Sequence, residues 1–378
     1  MDFSLTEEQT MLADSVSRFI ANDYDFDRRM KIAESNEDFS QELWQTYAEL
    51  GWTAMLFSEE DGGLGGGPIE LMLMMEQFGR GLVVEPFLAN IVLAGGVLRR
   101  AGSKQQKTGW LSEIIAGTLQ AALSFSEPQA RFDIFDIATT ATRDGDSFVL
   151  NGQKSYVING GSAELIIVPA RTSGEQADTS GITLFAISAD VGGLTRKSYK
   201  CVDAHAAAEI KLDDVRVSAA SIIGVVDEGY ATLQAVIDEA TLAVCAEALG
   251  IMRAMHDKTV DYSKNRMQFG VPIGSFQALQ HRMVDTLVAC EQTQSLLLWT
   301  ALLNIEGSAD ARAAISALKY QIGTAGRLVA QEAVQIHGAM GVTWELDIAH
   351  YFKRLSAIEV LFGNADYHLD RFVDLSAT

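Results

Sequence analysis

From Gly229 to the C-terminus the apolar residues recur at helical spacing in long stretches, roughly 229–264, 276–304, 309–337 and 346–374, joined by short loops. Helices of that length on short connections pack as antiparallel neighbours, so the last 150 or so residues are expected to form a four-helix bundle. Ala240, Val244, Leu249 and Met252 make one apolar stripe and read as its core. Only five prolines punctuate the 378 residues, which again favours long helices.

The period changes twice upstream. Residues 1–117 also read as helical. Thr6 with Gln9 forms a capping-box pattern, ahead of Met11, Leu12, Val16, Phe19 and Ile20 at helical spacing. A second helix fits Ser40 to Leu50 and stops at Gly51, and others fit Ile69–Gly79, Ala89–Ala101 and Lys107–Ala116. The glycine-rich Ser58–Pro68 lacks a following Gly-Lys-Ser/Thr and is acidic, so it reads as a loop and not a phosphate cradle. Between 118 and 224 the pattern breaks into short runs, AALSF, FVLNGQKSYVING, AELIIVPA, GITLFAIS and AEIKLDDVRV. Asn151-Gly152 predicts a hairpin turn and Asn159-Gly160 a second. Strands without intervening helices predict a small antiparallel barrel or sandwich.

Lys and Arg total 29 against 50 Asp and Glu, a net charge of −21, which argues against nucleic acid or an anionic membrane as partner. The three cysteines, Cys201, Cys245 and Cys290, are far apart and contain no CxxC, so they are expected to be buried thiols rather than disulfides or zinc ligands. Neither a basic leader nor an uncharged apolar run of membrane-spanning length is evident, and the cytoplasm is the expected location. His337 and His350 have no metal-like partners in sequence and read as structural or polar-face histidines.

Two segments stand apart from this background. One is RMQFGVPIGSFQALQH, Arg266–His281, where Gly270 and Pro272 interrupt the helical pattern. Arg266 there either caps the preceding helix or offers a charged fork to a diphosphate. The other is QIHGAMGVTWE, Gln335–Glu345, a glycine turn after a long apolar helix. Together with NGQKSYVINGG and LSFSEP, these resemble signatures of the acyl-CoA dehydrogenase family, end to end and at matching spacing. The resemblance implies a mainly α fold with a central β domain: an N-terminal helical domain (1–117), a small β-barrel (118–224) and a C-terminal four-helix bundle (225–378). It also implies FAD, an acyl-CoA thioester as substrate, a flavoprotein electron acceptor and a tetramer.

Carried over residue by residue, the resemblance assigns Arg266, Phe269, Gln335, Gly338 and Gly341 to the FAD of a neighbouring subunit, with Ala339 replacing one glycine. On the barrel it assigns Ser126 and Tyr156 to the flavin, beside Phe125, Val157 and Ile158. Ile158 replaces a threonine, and Gln129–Asp133 replaces a glycine- and serine-rich loop. Oxidation of the Cα–Cβ bond needs a carboxylate base. The positions where the family carries it are Phe362 and Ala240 here, and neither side chain can accept a proton. Asp238 matches a residue beside the pantetheine chain. Glu359 and Glu239 are the nearby substitutes, Glu359 being expected to pair with a neighbour such as Lys353 or Arg354. Three readings follow: a subunit of a heteromeric dehydrogenase whose partner supplies the glutamate, a self-sufficient homo-oligomer using Glu359 or Glu239, or a non-catalytic acyl-CoA-binding scaffold.

Overall fold

The computed structural model describes residues 4–377. In chain order its helices are α1 (Glu7–Asp23), α2 (Phe26–Glu34), α3 (Gln41–Glu49), α4 (Pro68–Gly81), α5 (Gly96–Ala101), α6 (Lys104–Gln106) and α7 (Ser112–Ile115). After the strands come α8 (Gly229–Asn265), α9 (Gln277–Ile305), α10 (Ala311–His337), α11 (Asp347–Val360) and α12 (Ala365–Ser376). The strands are β1 (Ala121–Leu123), β2 (Thr140–Asp144), β3 (Ser147–Ile158), β4 (Leu165–Arg171), β5 (Ile182–Ser188), β6 (Leu194–Lys200), β7 (Ala206–Ser218) and β8 (Ile222–Ile223). The chain divides into two compact units, one of residues 1–31, 67–83 and 241–378, the other of residues 32–66 and 84–240.

The first unit is helical. α1 starts at the expected capping box, in which the Thr6 hydroxyl accepts from Gln9 N and the Gln9 side chain accepts from Thr6 N. Gln9 then reaches Glu70 on α4 at 2.8 Å. α4 and α8 cross at two glycines: a Cβ on Gly79 would stand 2.0 Å from Glu247 O, and one on Gly250 1.8 Å from Glu76 O. No side chain fits there, so backbone meets backbone. At the same crossing Glu247 accepts from Arg354 of α11 at 2.6 and 2.8 Å, with both side chains almost fully buried. The expected fourth bundle helix, 346–374, is in fact two helices. It breaks at Leu361–Asn364, where Phe362 and Gly363 take φ of 60° and 113°, conformations a continuous helix cannot hold.

The second unit holds the sheet, in the order β6-β7-β3-β2-β4-β5-β8 with β1 on β4. Most pairs are antiparallel as expected, but β1–β4 and the single bridge β2–β4 are parallel. Asn90, fully buried, ties a preceding helical segment to β1, donating to Leu119 O at 3.0 Å and accepting from Ala121 N at 2.9 Å. The hairpin predicted at Asn151-Gly152 is not there. Those residues lie inside β3, and the turn is Gly145-Asp146, with Gly145 at φ 64°. Asn151-Gly152 is instead a bulge opposite β7. Asn151 exchanges hydrogen bonds with Asp214 at 3.0 and 2.8 Å, and a Cβ on Gly152 would meet Thr139 Oγ1 at 2.4 Å. Asn159-Gly160 does form a turn, with Asn159 at φ 60°.

The buried pair at the helix crossing gives a prediction. Arg354→Met leaves the Glu247 carboxylate without its main partner and should lower unfolding free energy by about 3–5 kcal/mol in urea titrations, while Arg354→Met with Glu247→Met should recover most of that loss.

Candidate functional site

The two glycine-interrupted segments meet in the helical unit. α8 ends at Asn265, and Tyr262, one turn earlier, stacks on His337 at the end of α10 with ring centroids 4.3 Å apart. The His337 imidazole is held by Ala333 O at 2.8 Å, and its burial pushes its pKa down, so it is a neutral packing group as the sequence suggested. This stack fixes the start of the Arg266 segment against the start of the Gly338 turn.

Beyond α8, Met267–Gln268 pairs antiparallel with Val271–Pro272. The turn residues Phe269 and Gly270 have φ of 53° and 81°, the paired left-handed conformations of a tight hairpin. Ile273 N closes the loop on Arg266 O at 2.8 Å. Phe269 at the tip is 92% exposed and meets Phe276 edge-on at 6.2 Å. Arg266 is exposed, and its guanidinium makes no hydrogen bond or ion pair among the described residues, so it does not cap α8. On the other arm Gln335 is exposed, and Gly338 takes φ 64° with open space where a Cβ would be. Gly341 differs: it is buried, and a Cβ would press on Val334 O at 2.8 Å, so its own fold requires the glycine.

Neither base position carries a titratable group. Ala240 is fully buried in α8. Phe362, 8% exposed, occupies the break between α11 and α12. That break is held by two side chains the sequence reading passed over. Buried Lys319 of α10 donates to Glu359 O at 3.0 Å and Gly363 O at 2.6 Å, and burial lowers its pKa to about 8. His368 donates from Nε2 to Phe362 O at 2.9 Å, and burial with the nearby Lys319 charge pushes its pKa down to about 3. A lysine in the otherwise apolar stripe ISALKYQIG was the available signal.

Both substitute carboxylates are engaged. Glu239 accepts from Arg99 at 2.8 and 2.7 Å and lies 2.8 Å from Arg100. Glu359 pairs with Arg327 at 3.4 Å, not with Lys353 or Arg354: Arg354 belongs to Glu247, and Lys353 lies over the Trp344 ring at 4.1 Å. Glu359 also lines a groove of about 220 Å³ between α10 and α11, with Arg327, Phe352, Leu355 and Ser356. His350 is structural, bridging Arg29 at 3.0 Å and Trp344 O at 2.9 Å. Asp238 is buried and accepts from Gln234 at 3.1 Å.

In the sheet unit, a second bulge of β3 between Lys154 and Val157 brings Ser126 and Tyr156 close. Ser155 N leaves the ladder to bond Ser126 O at 3.0 Å, and Tyr156 follows at φ 50°, half-buried. The Ser126 loop is anchored by Glu127, whose buried carboxylate accepts from Lys154 at 2.6 Å and from Ala138 N at 2.7 Å.

The helical unit with its two glycine turns and the sheet unit are the elements that the resemblance to acyl-CoA dehydrogenases, a class of flavin-dependent oxidoreductases, implies. Sequence profiles of that class match nearly the whole chain: the acyl-CoA dehydrogenase N-terminal domain over residues 6–118, the middle domain over 122–215 and the C-terminal domain over 227–374. The chain belongs to the acyl-CoA dehydrogenase family, FAD-dependent oxidoreductases acting on acyl-CoA. The probable acyl-CoA dehydrogenase YngJ of Bacillus subtilis is 29% identical over 97% of each chain. Among solved structures, the ChsE4-ChsE5 complex from Mycobacterium tuberculosis superposes with a TM-score of 0.90 at 25% identity, covering 100% of this chain and 99% of that one. The FAD complex of PigA superposes with a TM-score of 0.92 at 26% identity over the full length of both.

The neutral His368 makes stability pH-dependent. The unfolded imidazole takes up a proton near pH 6.5, while the folded one resists down to about 3. Stability from this group is therefore present above pH 6.5 and lost as pH falls toward 3, at up to about 1.4 kcal/mol per unit. His368→Gln should flatten the fall in urea midpoint between pH 6.5 and 4.5; an unchanged slope would contradict the assignment.

Proposed function

We propose that this chain is a subunit of a heteromeric acyl-CoA dehydrogenase. It would present Arg266, Phe269, Gln335 and the Gly338 turn to FAD held with a partner chain of the same family, and the partner would supply the glutamate base. The observation that carries the reading is the pairing of exposed Arg266, Phe269 and Gly338 with two expected base positions filled by Phe362 and Ala240.

The arm fits the group chemically. A diphosphate needs a charged donor without a competing protein partner, and among the described residues Arg266 has none. An adenine needs an exposed aromatic face, which Phe269 offers on a rigid turn. Polar ligand atoms approach backbone most closely over a glycine with empty space above it, as at Gly338. When bound, FAD would supply the hydride acceptor; a carboxylate must take the α-proton, and this chain's residues at the two base positions do not. A flavoprotein would then take the electrons onward. The likeness to the ChsE4-ChsE5 complex, two differently named chains in one assembly, supports a partner over a second copy.

A second reading has one observation behind it. Glu359 lines the groove between α10 and α11, so a homo-oligomer using Glu359 as base is testable. Glu359→Gln should leave the turnover of a reconstituted complex within about twofold; loss of turnover by orders of magnitude would favour this alternative.

Two further outcomes check the main reading. Purified alone, the chain should carry less than stoichiometric FAD and show no acyl-CoA oxidation, and co-expression with a family member bearing the glutamate should restore both. Full turnover by the lone chain would overturn the proposal. Arg266→Ala should weaken FAD retention by about 1.5–3 kcal/mol in equilibrium dialysis while the apoprotein Tm stays unchanged, since no hydrogen bond or ion pair among the described residues is lost. An apoprotein Tm that falls instead would return Arg266 to a structural role.

A further inference from the structure

The β3 bulge that brings Tyr156 beside Ser126 is held from the neighbouring strand. Tyr156 takes φ 50°, a left-handed conformation that costs a bulky residue free energy and persists only when its surroundings impose it. The register slips between Lys154 and Val157, so the Tyr156 N–H is lost from the β3–β7 ladder. It donates instead to Glu209 Oε1 on β7 at 3.3 Å. The same oxygen accepts from the Tyr199 hydroxyl on β6 at 3.1 Å. Glu209 sits between Ala208 and Ile210, which pair with Tyr156's neighbours Val157 and Lys154, so its side chain is carried to the bulge by the sheet itself. Burial, helped by Glu209, raises the Tyr199 pKa to about 12, and the phenol is a donor at neutral pH.

We propose that Glu209, braced by Tyr199, is a positioning residue that locks Tyr156 in its left-handed conformation and so fixes the Tyr156 ring as a preformed aromatic wall of the flavin site on this chain's own β domain. The proposal rests on the reading of the chain as an FAD-binding subunit and adds a residue outside the two glycine arms. The chemistry is geometric: Glu209 touches backbone, and only Tyr156 would meet the flavin. A carboxamide oxygen accepts the same hydrogen bonds, so the function needs an acceptor at this position more than a charge.

The test uses the full chain co-purified with its partner, FAD titrated by fluorescence, and apoprotein melting in parallel. Glu209→Ala should weaken FAD binding about fivefold, the equivalent of one hydrogen bond, and raise flavin emission as the ring loses its stacking geometry. Glu209→Gln should keep both near the original values. In a Tyr156→Ala background, Glu209→Ala should add no further loss of FAD. A second arm reads the lock without flavin: Glu209→Ala should lower the apoprotein Tm, but not when Tyr156 is replaced by Gly, which adopts φ 50° freely. A Tm loss in both backgrounds, or FAD binding and emission untouched by Glu209→Ala, would overturn the proposal. If the original complex takes up no FAD at all, the subunit reading falls; if it takes up FAD and only the Glu209 variants are silent, this inference alone falls.

Discussion

The stacking of Tyr262 on His337 is the contact on which the placement of the Arg266 hairpin and the Gly338 turn depends. α8 and α10 are long helices whose ends are free to splay, and the chain leaves each through a glycine-bearing turn. Stacking the last aromatic of one on the last imidazole of the other sets the hairpin at Arg266 and the turn at Gly338 side by side. Because the imidazole is neutral and its Nδ1 is committed to Ala333 O, the stack is insensitive to pH near neutrality. What projects from this platform is an arginine whose guanidinium has no hydrogen bond or ion pair among the described residues, an almost fully exposed phenylalanine and a glycine with space above it. Exposing an aromatic ring and holding Phe269 at positive φ both cost stability, and such costs collect at ligand sites.

The break between α11 and α12 is built with equal care but to a different end. Three carbonyls left by the interrupted helix receive side-chain donors, Glu359 O and Gly363 O from Lys319, and Phe362 O from His368. Burying an amine there costs desolvation, which its lowered pKa records. The backbone is thus held firmly while the side chain it presents is a phenyl ring. Glu359 and Glu239 do not offset this, since each is tied to arginine.

Much of this was legible in the sequence. Long apolar periodicity located α8, α9 and α10 within a residue or two, and the Thr6–Gln9 box marked the start of α1. The two long signatures identified the family, and their Gly270 and Gly338 fall in turns of positive φ. Three things were not legible. β2 is largely exposed, and β6 is exposed or half-buried throughout, so alternation was too weak to reveal them. Asn151-Gly152 has the composition of a turn, yet the close approach of Thr139 explains its glycine just as well, and only the sheet register separates the two. The split of the last helix turns on Lys319, more than 40 residues upstream of Phe362, and periodicity sees no contact at that separation. The partner of Glu359 was missed for a similar reason: Arg327 comes from α10, while the sequence offered only neighbours on the same helix.

The claim that this chain lacks a working base is tested most directly by α-proton exchange. A panel of acyl-CoA thioesters would be incubated with the chain in D₂O, with and without the glutamate-bearing partner, and deuterium at Cα followed by mass spectrometry. The account predicts exchange at the uncatalysed rate with this chain alone and rapid exchange once the partner is present. Rapid exchange by the lone chain, abolished by Glu359→Gln or Glu239→Gln, would contradict it.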